Sequence, residues 1–260
     1  MKGLKTIRAF TQEKGALRED QEDFYGVSDD GRFFVLADGL GGQPHGEIAA
    51  KLAIELSLMT YRLMEYRRFY RWRAFFVKQV IKKANLGIFK KVRKTPELLG
   101  MATTLVDLFL SSKQWTIGNV GDSRAYILSR GNFRQITVNH KGGSGVLTKV
   151  VGLEKKIVPD SFEGQIYSGD LFLLCSDGLT DRLTNEEIYK VLKSCGQEKE
   201  DLEDAAKRLL FSANKVGPGE NTTVCLIKAK EEGKLLPKWQ RQSLELHIAP
   251  GKKLKILPTS

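Results

Sequence analysis

The chain has 260 residues and a formal net charge of +11, and its 41% hydrophobic and 28% charged residues are the balance of a soluble globular protein. Its three cysteines, Cys175, Cys195 and Cys225, are odd in number and lack Cys-x-x-Cys spacing, which argues against a disulfide framework or a cysteine zinc site. The basic N-terminus lacks the apolar stretch of a secretory signal, and no window is apolar enough for a membrane span, so we expect a cytoplasmic protein.

The first part of the chain predicts strands followed by two long helices. The strands are expected at 4–10, 24–28 and 32–37. The third of them is an apolar run that stops at Asp38-Gly39. Apolar residues near helical spacing predict a helix over 46–64. A second helix is expected over 73–93, because its apolar residues fall on one face and Pro96 follows its end.

The second half of the chain predicts mostly strands, with two helices near its end. The strands are expected at 103–110, 114–120, 123–129, 133–137, 170–175 and 222–228. The helices are expected at 185–193 and 202–214. Arg130-Gly-Asn132 predicts a hairpin turn, and Thr184 with Glu187 predicts a capping box. Residues 140–146 are rich in glycine and serine and predict a flexible loop.

Most of the charge excess lies in one segment. Residues 62–94 contain twelve Lys and Arg residues against one acid, Glu65. Aromatic residues are interleaved with them at Tyr66, Phe69, Tyr70, Trp72, Phe75 and Phe76. Such a segment can attract nucleic acid, anionic lipid or an acidic protein. No nucleic-acid reader motif accompanies it, so a solvated basic helix face over a buried aromatic side is the simpler interpretation.

Acidic residues recur at the points where apolar strands begin or stop. They are Glu22, Asp23, Asp38, Asp122, Asp177 and Glu220. Each of them alone is explained as a turn former. If the strand ends of one sheet converge on one cleft, however, the clustered carboxylates would repel one another unless cations neutralise them. Oxygen ligands of this kind suit Mg²⁺ or Mn²⁺ better than zinc or copper.

Six short motifs occur in a fixed order between about residue 5 and residue 230. They are Arg18-Glu-Asp-Gln-Glu22-Asp23, Val35-Leu-Ala-Asp38-Gly39-Leu-Gly-Gly42, Gly100-Met-Ala-Thr103-Thr104, Asn119-Val-Gly-Asp122-Ser-Arg124-Ala-Tyr126, Leu174-Cys-Ser-Asp177-Gly178-Leu-Thr-Asp181 and Glu220-Asn221-Thr-Thr223. The series resembles that of the type 2C, metal-dependent serine/threonine protein phosphatases, and the compact bacterial members most. Each motif is modest alone, but the ordered set is highly specific.

The resemblance implies an α+β fold in which two packed antiparallel sheets are flanked by helices, although the flap segment usual in the family is shortened here, between 137 and 147. It implies a catalytic domain over 1–230, followed by a basic C-terminal extension over 231–260. It also implies phosphorylated proteins as substrates and an opposing serine/threonine kinase. We expect a monomer that does not bind nucleic acid.

The resemblance also implies the composition of the site, with two Mn²⁺ or Mg²⁺ ions and a third, weaker one. On this mapping Asp38 bridges the two metals and acts in catalysis, while Gly39 contributes its carbonyl oxygen. Asp23, supported by Glu22, lies at one metal through water. The remaining metal ligands would be Asp177 and Glu220 at the second ion and Asp122 at the third. Arg18 would bind the substrate phosphate, since a guanidinium can hold it with two hydrogen bonds.

Three departures from the family pattern qualify this mapping. Glu220 stands where the family usually has aspartate, so a metal can still bind but shift. Leu40 stands where animal members have a histidine general acid, and His45 and His140 are candidate substitutes, although a lone histidine is more often structural. The short flap segment implies altered substrate recognition. The alternative to an active phosphatase is therefore a catalytically impaired binding module of the same fold.

Overall fold

A computed structural model gives the fold of the chain. It describes residues 4–16, 18–40, 45–66, 72–143, 145–217 and 219–231. The expected C-terminal extension lies almost entirely outside the described residues, so the domain boundary at 230 stays a prediction. Gly41, Gly42, Phe69 and Tyr70, which the sequence analysis named, lie outside them as well.

Strands and helices alternate in blocks along the chain. The strands of the described residues are β1 (Leu4–Glu13), β2 (Asp23–Val27), β3 (Phe33–Asp38), β4 (Leu105–Leu110), β5 (Gln114–Val120), β6 (Arg124–Ser129), β7 (Asn132–Gln135), β8 (Asp160–Gln165), β9 (Leu171–Cys175) and β10 (Thr222–Glu231). The helices are α1 (Gly46–Tyr66), α2 (Arg73–Lys94), α3 (Asp177–Thr180), α4 (Asn185–Lys193) and α5 (Lys199–Lys215), with a short 3-10 helix at Pro96–Leu98.

The strands form two antiparallel sheets. One has the order β1-β10-β9-β6-β7, and the other has the order β2-β3-β4-β5-β8. Strands β1 and β10 are far apart in sequence but pair along their whole length, from Leu4 opposite Glu231 to Glu13 opposite Thr222. This pairing brings the segment after Glu13 next to the residues that precede Thr222, and both segments contain predicted site residues.

The sheets pack face to face and are covered by helices on their outer faces. Phe34 and Ile117 of one sheet lie in the same buried cluster as Ile127, Phe172 and Ile227 of the other. Helices α1 and α2 cover one outer face, and α3, α4 and α5 cover the other. The resulting helix–sheet–sheet–helix layers confirm the expected sandwich of two antiparallel sheets flanked by helices.

Several local predictions are confirmed in detail. Arg130 and Gly131 form the two-residue turn between β6 and β7, with φ of 52° and 81°, the left-handed conformations that such hairpins need. Thr184 and Glu187 form the capping box at the start of α4. The three cysteines are free, as expected. None of the helices in the described ranges is long and apolar enough to cross a membrane.

Three features differ from the sequence-based expectation. Strand β8 was not predicted, because it lies at a sheet edge and its polar residues show no apolar pattern. Helix α3 has four residues and is too short to show a period. In the segment 140–146, predicted as a flexible loop, the described residues on the two sides of position 144 pair as in a hairpin: Lys141 and Leu147 form a β-bridge, and the Gly142 N–H donates to Val146 O at 2.8 Å.

Helix α2 shows the predicted separation of apolar and basic sides. Its buried residues are Phe76, Val77, Val80, Ile81, Ala84, Asn85 and Ile88. Its exposed basic residues are Lys82, Lys83, Lys90, Lys91, Arg93 and Lys94. The expected buried aromatic side is only partly present, since Phe76 is buried but Trp72 and Phe75 are 71% and 46% exposed.

Candidate metal centre

The predicted acidic residues meet at one end of the sandwich. Asp23 begins β2 and is the direct partner of Asp38, which ends β3. In the other sheet, Asp177 follows the end of β9, and Glu220 precedes the start of the adjacent β10. Asp122 follows β5 and lies just before β6. Pairing within each sheet brings neighbouring strand ends together, and hydrogen bonds from Ser176 and Thr223 to Asp23 join the ends of the two sheets, so these acidic residues lie near one another.

Asp23 is the most completely buried member of the cluster, with no exposed surface. Its Oδ2 accepts hydrogen bonds from Ser176 Oγ at 2.7 Å and Thr223 Oγ1 at 2.8 Å. Its Oδ1 is buried and accepts no hydrogen bond. Burial raises the pKa of this carboxyl group, although the two hydroxyl donors oppose the shift. An unpartnered buried oxygen is costly unless a donor or a cation completes it.

The backbone of Asp38 is clamped by the threonine pair of the third motif. The Asp38 N–H donates to Thr104 Oγ1 at 3.0 Å, and the Thr104 N–H donates to Asp38 O at 2.8 Å. Thr103 Oγ1 donates to the same carbonyl at 2.8 Å. Burial, followed by the nearby charges of Asp23, Asp177 and Asp122, raises the pKa of the Asp38 carboxyl group well above its usual value.

Asp177 lies at the start of α3, directly after the buried Ser176. Burial and the charges of Asp122 and Asp181 raise the pKa of Asp177 to about 7. Asp122 is 2% exposed, and its Oδ2 lies 2.5 Å from the ammonium of Lys141 without regular hydrogen-bond geometry. The acidic cluster of the cleft, Asp23, Asp38, Asp122 and Asp177, therefore concentrates more negative charge than its surroundings balance.

Arg18 lies at the rim of this cluster. The Gly15 N–H donates to Asn221 Oδ1 at 3.0 Å, and Asn221 Nδ2 donates to Asp20 O at 3.0 Å, so the chain is held next to the start of β10 on both sides of Arg18. The guanidinium donates to Glu220 Oε1 at 2.8 Å and lies 3.8 Å from Glu22 Oε2. Glu220 is thus near the cluster but faces Arg18, and its side chain is 52% exposed.

Gly39 occupies a position that only glycine fits. A Cβ at this residue would lie 2.4 Å from the backbone carbonyl of Gly46, at the start of α1. The Gly39 N–H donates to Glu22 O at 3.0 Å. The close approach keeps the chain after Asp38 tight against the helix. The roles of Gly39 and Glu22 in metal binding stay predictions.

The two histidines differ in their surroundings. His140 is 7% exposed, its Nδ1 accepts from the Gly121 N–H at 3.0 Å, and its Nε2 lies 3.1 Å from Asp160 Oδ2. Since both ring nitrogens have partners, in the β5–β6 turn and at the start of β8, this geometry favours the structural role that a lone histidine usually has. His45 precedes α1, and its Nδ1 lies 3.9 Å from Glu47 Oε1.

The donor set fits hydrated divalent cations. Among the described residues, no group of three His, Cys, Asp or Glu side chains lies close enough together to hold an ion by direct contacts alone. Mg²⁺, however, binds through one or two carboxylates and keeps several waters. The unpartnered oxygen of Asp23 and the mutual repulsion around Asp38 are the features that a cation would relieve.

Sequence reasoning quoted several residues in motifs without giving them roles. Ser176 and Thr223 hold Asp23, and Asn221 holds the Arg18 segment. Their positions beside acidic motif residues were a signal that could have been used. Lys141 was missed altogether, because a lysine in a glycine-rich segment shows nothing of where its ammonium group lies.

Comparisons with known proteins point to one family. A family model described as Protein phosphatase 2C matches residues 9–210. The serine/threonine phosphatase stp of Listeria monocytogenes is 29% identical over 245 residues, which cover 84% of this chain and 94% of the relative. Protein phosphatase PhpP of Streptococcus pneumoniae is 28% identical over 244 residues, with 84% and 95% covered.

Solved structures show the same fold. The catalytic domain of the serine/threonine protein phosphatase PstP, in complex with two manganese ions, has a TM-score of 0.74 at 25% identity and covers 87% of this chain and 99% of its own. Stp1 from Staphylococcus aureus has a TM-score of 0.74 at 29% identity, with 87% and 95% covered. Because the family model matches well over half of the sequence, the chain belongs to the protein phosphatase 2C family.

Proposed function

We propose that the chain hydrolyses phosphoserine and phosphothreonine in proteins, using two divalent cations, Mn²⁺ or Mg²⁺, held by the acidic cluster. The observation that carries the proposal is the crowding of four carboxylates at one sandwich end, with a buried Asp23 oxygen that has no partner. The named activities of the bacterial relatives and the two manganese ions of the PstP structure support it.

The residues of the cluster would either hold the cations or orient the groups that hold them. Asp38, Asp23, Asp177 and Glu220, with the Gly39 carbonyl, would hold the cations. When bound, these cations would supply an activated water molecule and screen the oxygens of the phosphoryl group. The hydroxyls of Ser176 and Thr223 orient Asp23, and the threonine pair fixes the Asp38 backbone, so that little reorganisation is needed during the reaction.

Arg18 would bind the phosphate of the substrate at the rim. Its guanidinium pairs with Glu220, whose side chain is half exposed and would be one of the groups that hold a cation. Charge-assisted, two-point binding of this kind suits a phosphomonoester dianion. The same pair is also the observation that favours the alternative, an impaired binding module, since a guanidinium held permanently by Glu220 would not take phosphate.

One assay distinguishes an active phosphatase from an impaired binding module. Hydrolysis of an aryl phosphate and of a phosphothreonine peptide is measured with Mn²⁺, with Mg²⁺ and with excess chelator. We expect turnover with metal on both substrates and none with chelator. Full turnover in chelator would contradict the metal-dependent mechanism, and peptide binding without turnover would favour the binding module.

The finer features of the biological role are part of the same proposal. Phosphorylated proteins would be the partners, a serine/threonine kinase would supply them, and the chain would act as a monomer in the cytoplasm. A third, weaker cation was also expected at Asp122. That carboxylate already has a cationic neighbour, the ammonium of Lys141.

A further inference from the structure

The ammonium of Lys141 lies among three carboxylates of the cleft. Its Nζ is 2.5 Å from Asp122 Oδ2, 3.3 Å from Asp177 Oδ2 and 3.9 Å from Asp181 Oδ2. Asp122 is 2% exposed. A carboxylate buried to this extent is costly without a compensating positive charge, and Lys141 supplies one.

The backbone holds Lys141 in this position. The His140 N–H donates to Gly121 O at 3.0 Å, and the Gly121 N–H donates back to His140 Nδ1 at 3.0 Å. Gly121 precedes Asp122, so these bonds hold the backbone of Lys141 beside that of Asp122. On the other side, the Thr148 N–H donates to His140 O at 2.8 Å, which closes the hairpin.

We propose that Lys141 is a built-in cation that takes the place of a third metal ion, so that the cleft binds two divalent cations and no more. The inference rests on the two-cation site of the proposed function and concerns only the position between Asp122 and Asp177. A compact ammonium 2.5 Å from Asp122 Oδ2 leaves no room for a hydrated divalent cation at the same oxygen. Lys141 is therefore a positioning residue, which holds Asp122 and Asp177 at any metal concentration.

The count of bound Mn²⁺ ions tests the proposal directly. Mn²⁺ is titrated into the full chain and the free ion is followed by electron paramagnetic resonance. The variants are Lys141→Met, which removes the charge, Lys141→Arg, which keeps it, and Lys156→Met, which removes the same charge from an exposed loop position. We expect two ions per chain for the wild type, Lys141→Arg and Lys156→Met, and a third, weaker ion for Lys141→Met.

The outcomes separate the inference from the function on which it rests. Three ions on the wild type, or only two on Lys141→Met, would overturn the role of Lys141 while leaving the two-cation site in place. A wild-type chain that binds no Mn²⁺ would overturn both. Circular dichroism in chelator checks that Lys141→Met is folded, and Lys141→Gln replaces it in the titration if it is not.

Discussion

Two regions of the molecule each concentrate charge of one sign. One is the acidic cluster of the cleft, and the other is the basic face of α2, formed by Lys82, Lys83, Lys90 and Lys91. They differ in how far their charged groups are buried. In the cluster, Asp23 is fully buried and fixed by two hydroxyl donors. On the basic face, the four lysine side chains are exposed. Beside that face, an apolar groove between α1 and α2 is lined by Leu56, Met59, Leu63, Met64 and Phe75.

This difference suggests separate roles, with the buried cluster acting in catalysis and the exposed face attracting partners at long range. Buried, oriented charges interact strongly with a bound ion or substrate, because little water screens them. Exposed charges act mainly through long-range attraction. Salt screens this attraction, since the Debye length is about 8 Å at physiological ionic strength. Changes in the cluster should therefore affect every substrate, whereas changes on the basic face should affect only large acidic partners.

The largest effect is expected in the cluster. Asp38→Asn keeps the size of the side chain but removes the charge that would hold the cations, so turnover of an aryl phosphate should fall roughly 1000-fold or more. Steady-state kinetics with saturating Mn²⁺ measure this loss. Asp204→Asn, which removes an exposed acid on α5, is the matched control and should retain wild-type rates. Near-normal rates for Asp38→Asn would show that the site lies elsewhere.

A smaller effect is expected at the rim of the same cleft. Arg18→Ala should weaken binding of phosphate as a competitive inhibitor roughly 10–100-fold, through loss of a charge-assisted hydrogen bond. Arg62→Ala, which removes an exposed arginine paired with Asp29, provides the control. Unchanged inhibition constants for Arg18→Ala would remove this residue from the phosphate site.

In the metal-free protein, repulsion among the buried carboxylates should make the free energy of unfolding depend on pH. The pKa of Asp177 is about 7 in the fold against a usual value of 3.8, so the folded state binds this proton more tightly than the unfolded state. The free energy of unfolding should therefore fall as pH rises from about 4 to about 7, by about 1–3 kcal/mol. The raised pKa values of Asp23 and Asp38 act in the same direction.

Urea unfolding in chelator at steps between these pH values measures this dependence. Saturating Mn²⁺ should remove the loss, because the cation replaces the proton as the neutralising charge. Asp177→Asn should make the free energy of unfolding depend less steeply on pH in chelator, with Asp23 and Asp38 accounting for the dependence that remains. Stability that instead rises steadily through the same window would mean that the carboxylates are not strained in the absence of metal.

The smallest effect is expected on the basic face of α2. Replacing its four lysines by glutamine together should slow dephosphorylation of an acidic protein a few-fold at low salt and leave an aryl phosphate unaffected. Four exposed lysines on the opposite side, Lys193, Lys199, Lys207 and Lys215, give a control of equal charge. Equal losses on both substrates would show that α2 supports the fold or the site itself.

Local sequence patterns were enough to predict many of the strands, helices and turns. The apolar run of β3, the helical period of α2 and the two-residue turn at Arg130 are decided by residues near one another in the chain, so sequence reasoning located them. Strand β8 was missed, because an edge strand with polar residues has no pattern of its own and forms only by pairing with β5.

By itself, the sequence determined which residues are candidates for metal binding and catalysis. The ordered motifs contain Asp23, Asp38 and Asp177, together with neighbouring glycines and the apolar runs that predict the adjacent strands. Only the tertiary structure decided which of these side chains face one another. Glu220 pairs with Arg18 because β1 and β10 bring distant segments together, and Lys141 reaches Asp122 across nineteen positions of the chain because hydrogen bonds outside the strands join His140 to Gly121. Side-chain contacts of this kind depend on register and loop closure, which no local pattern records.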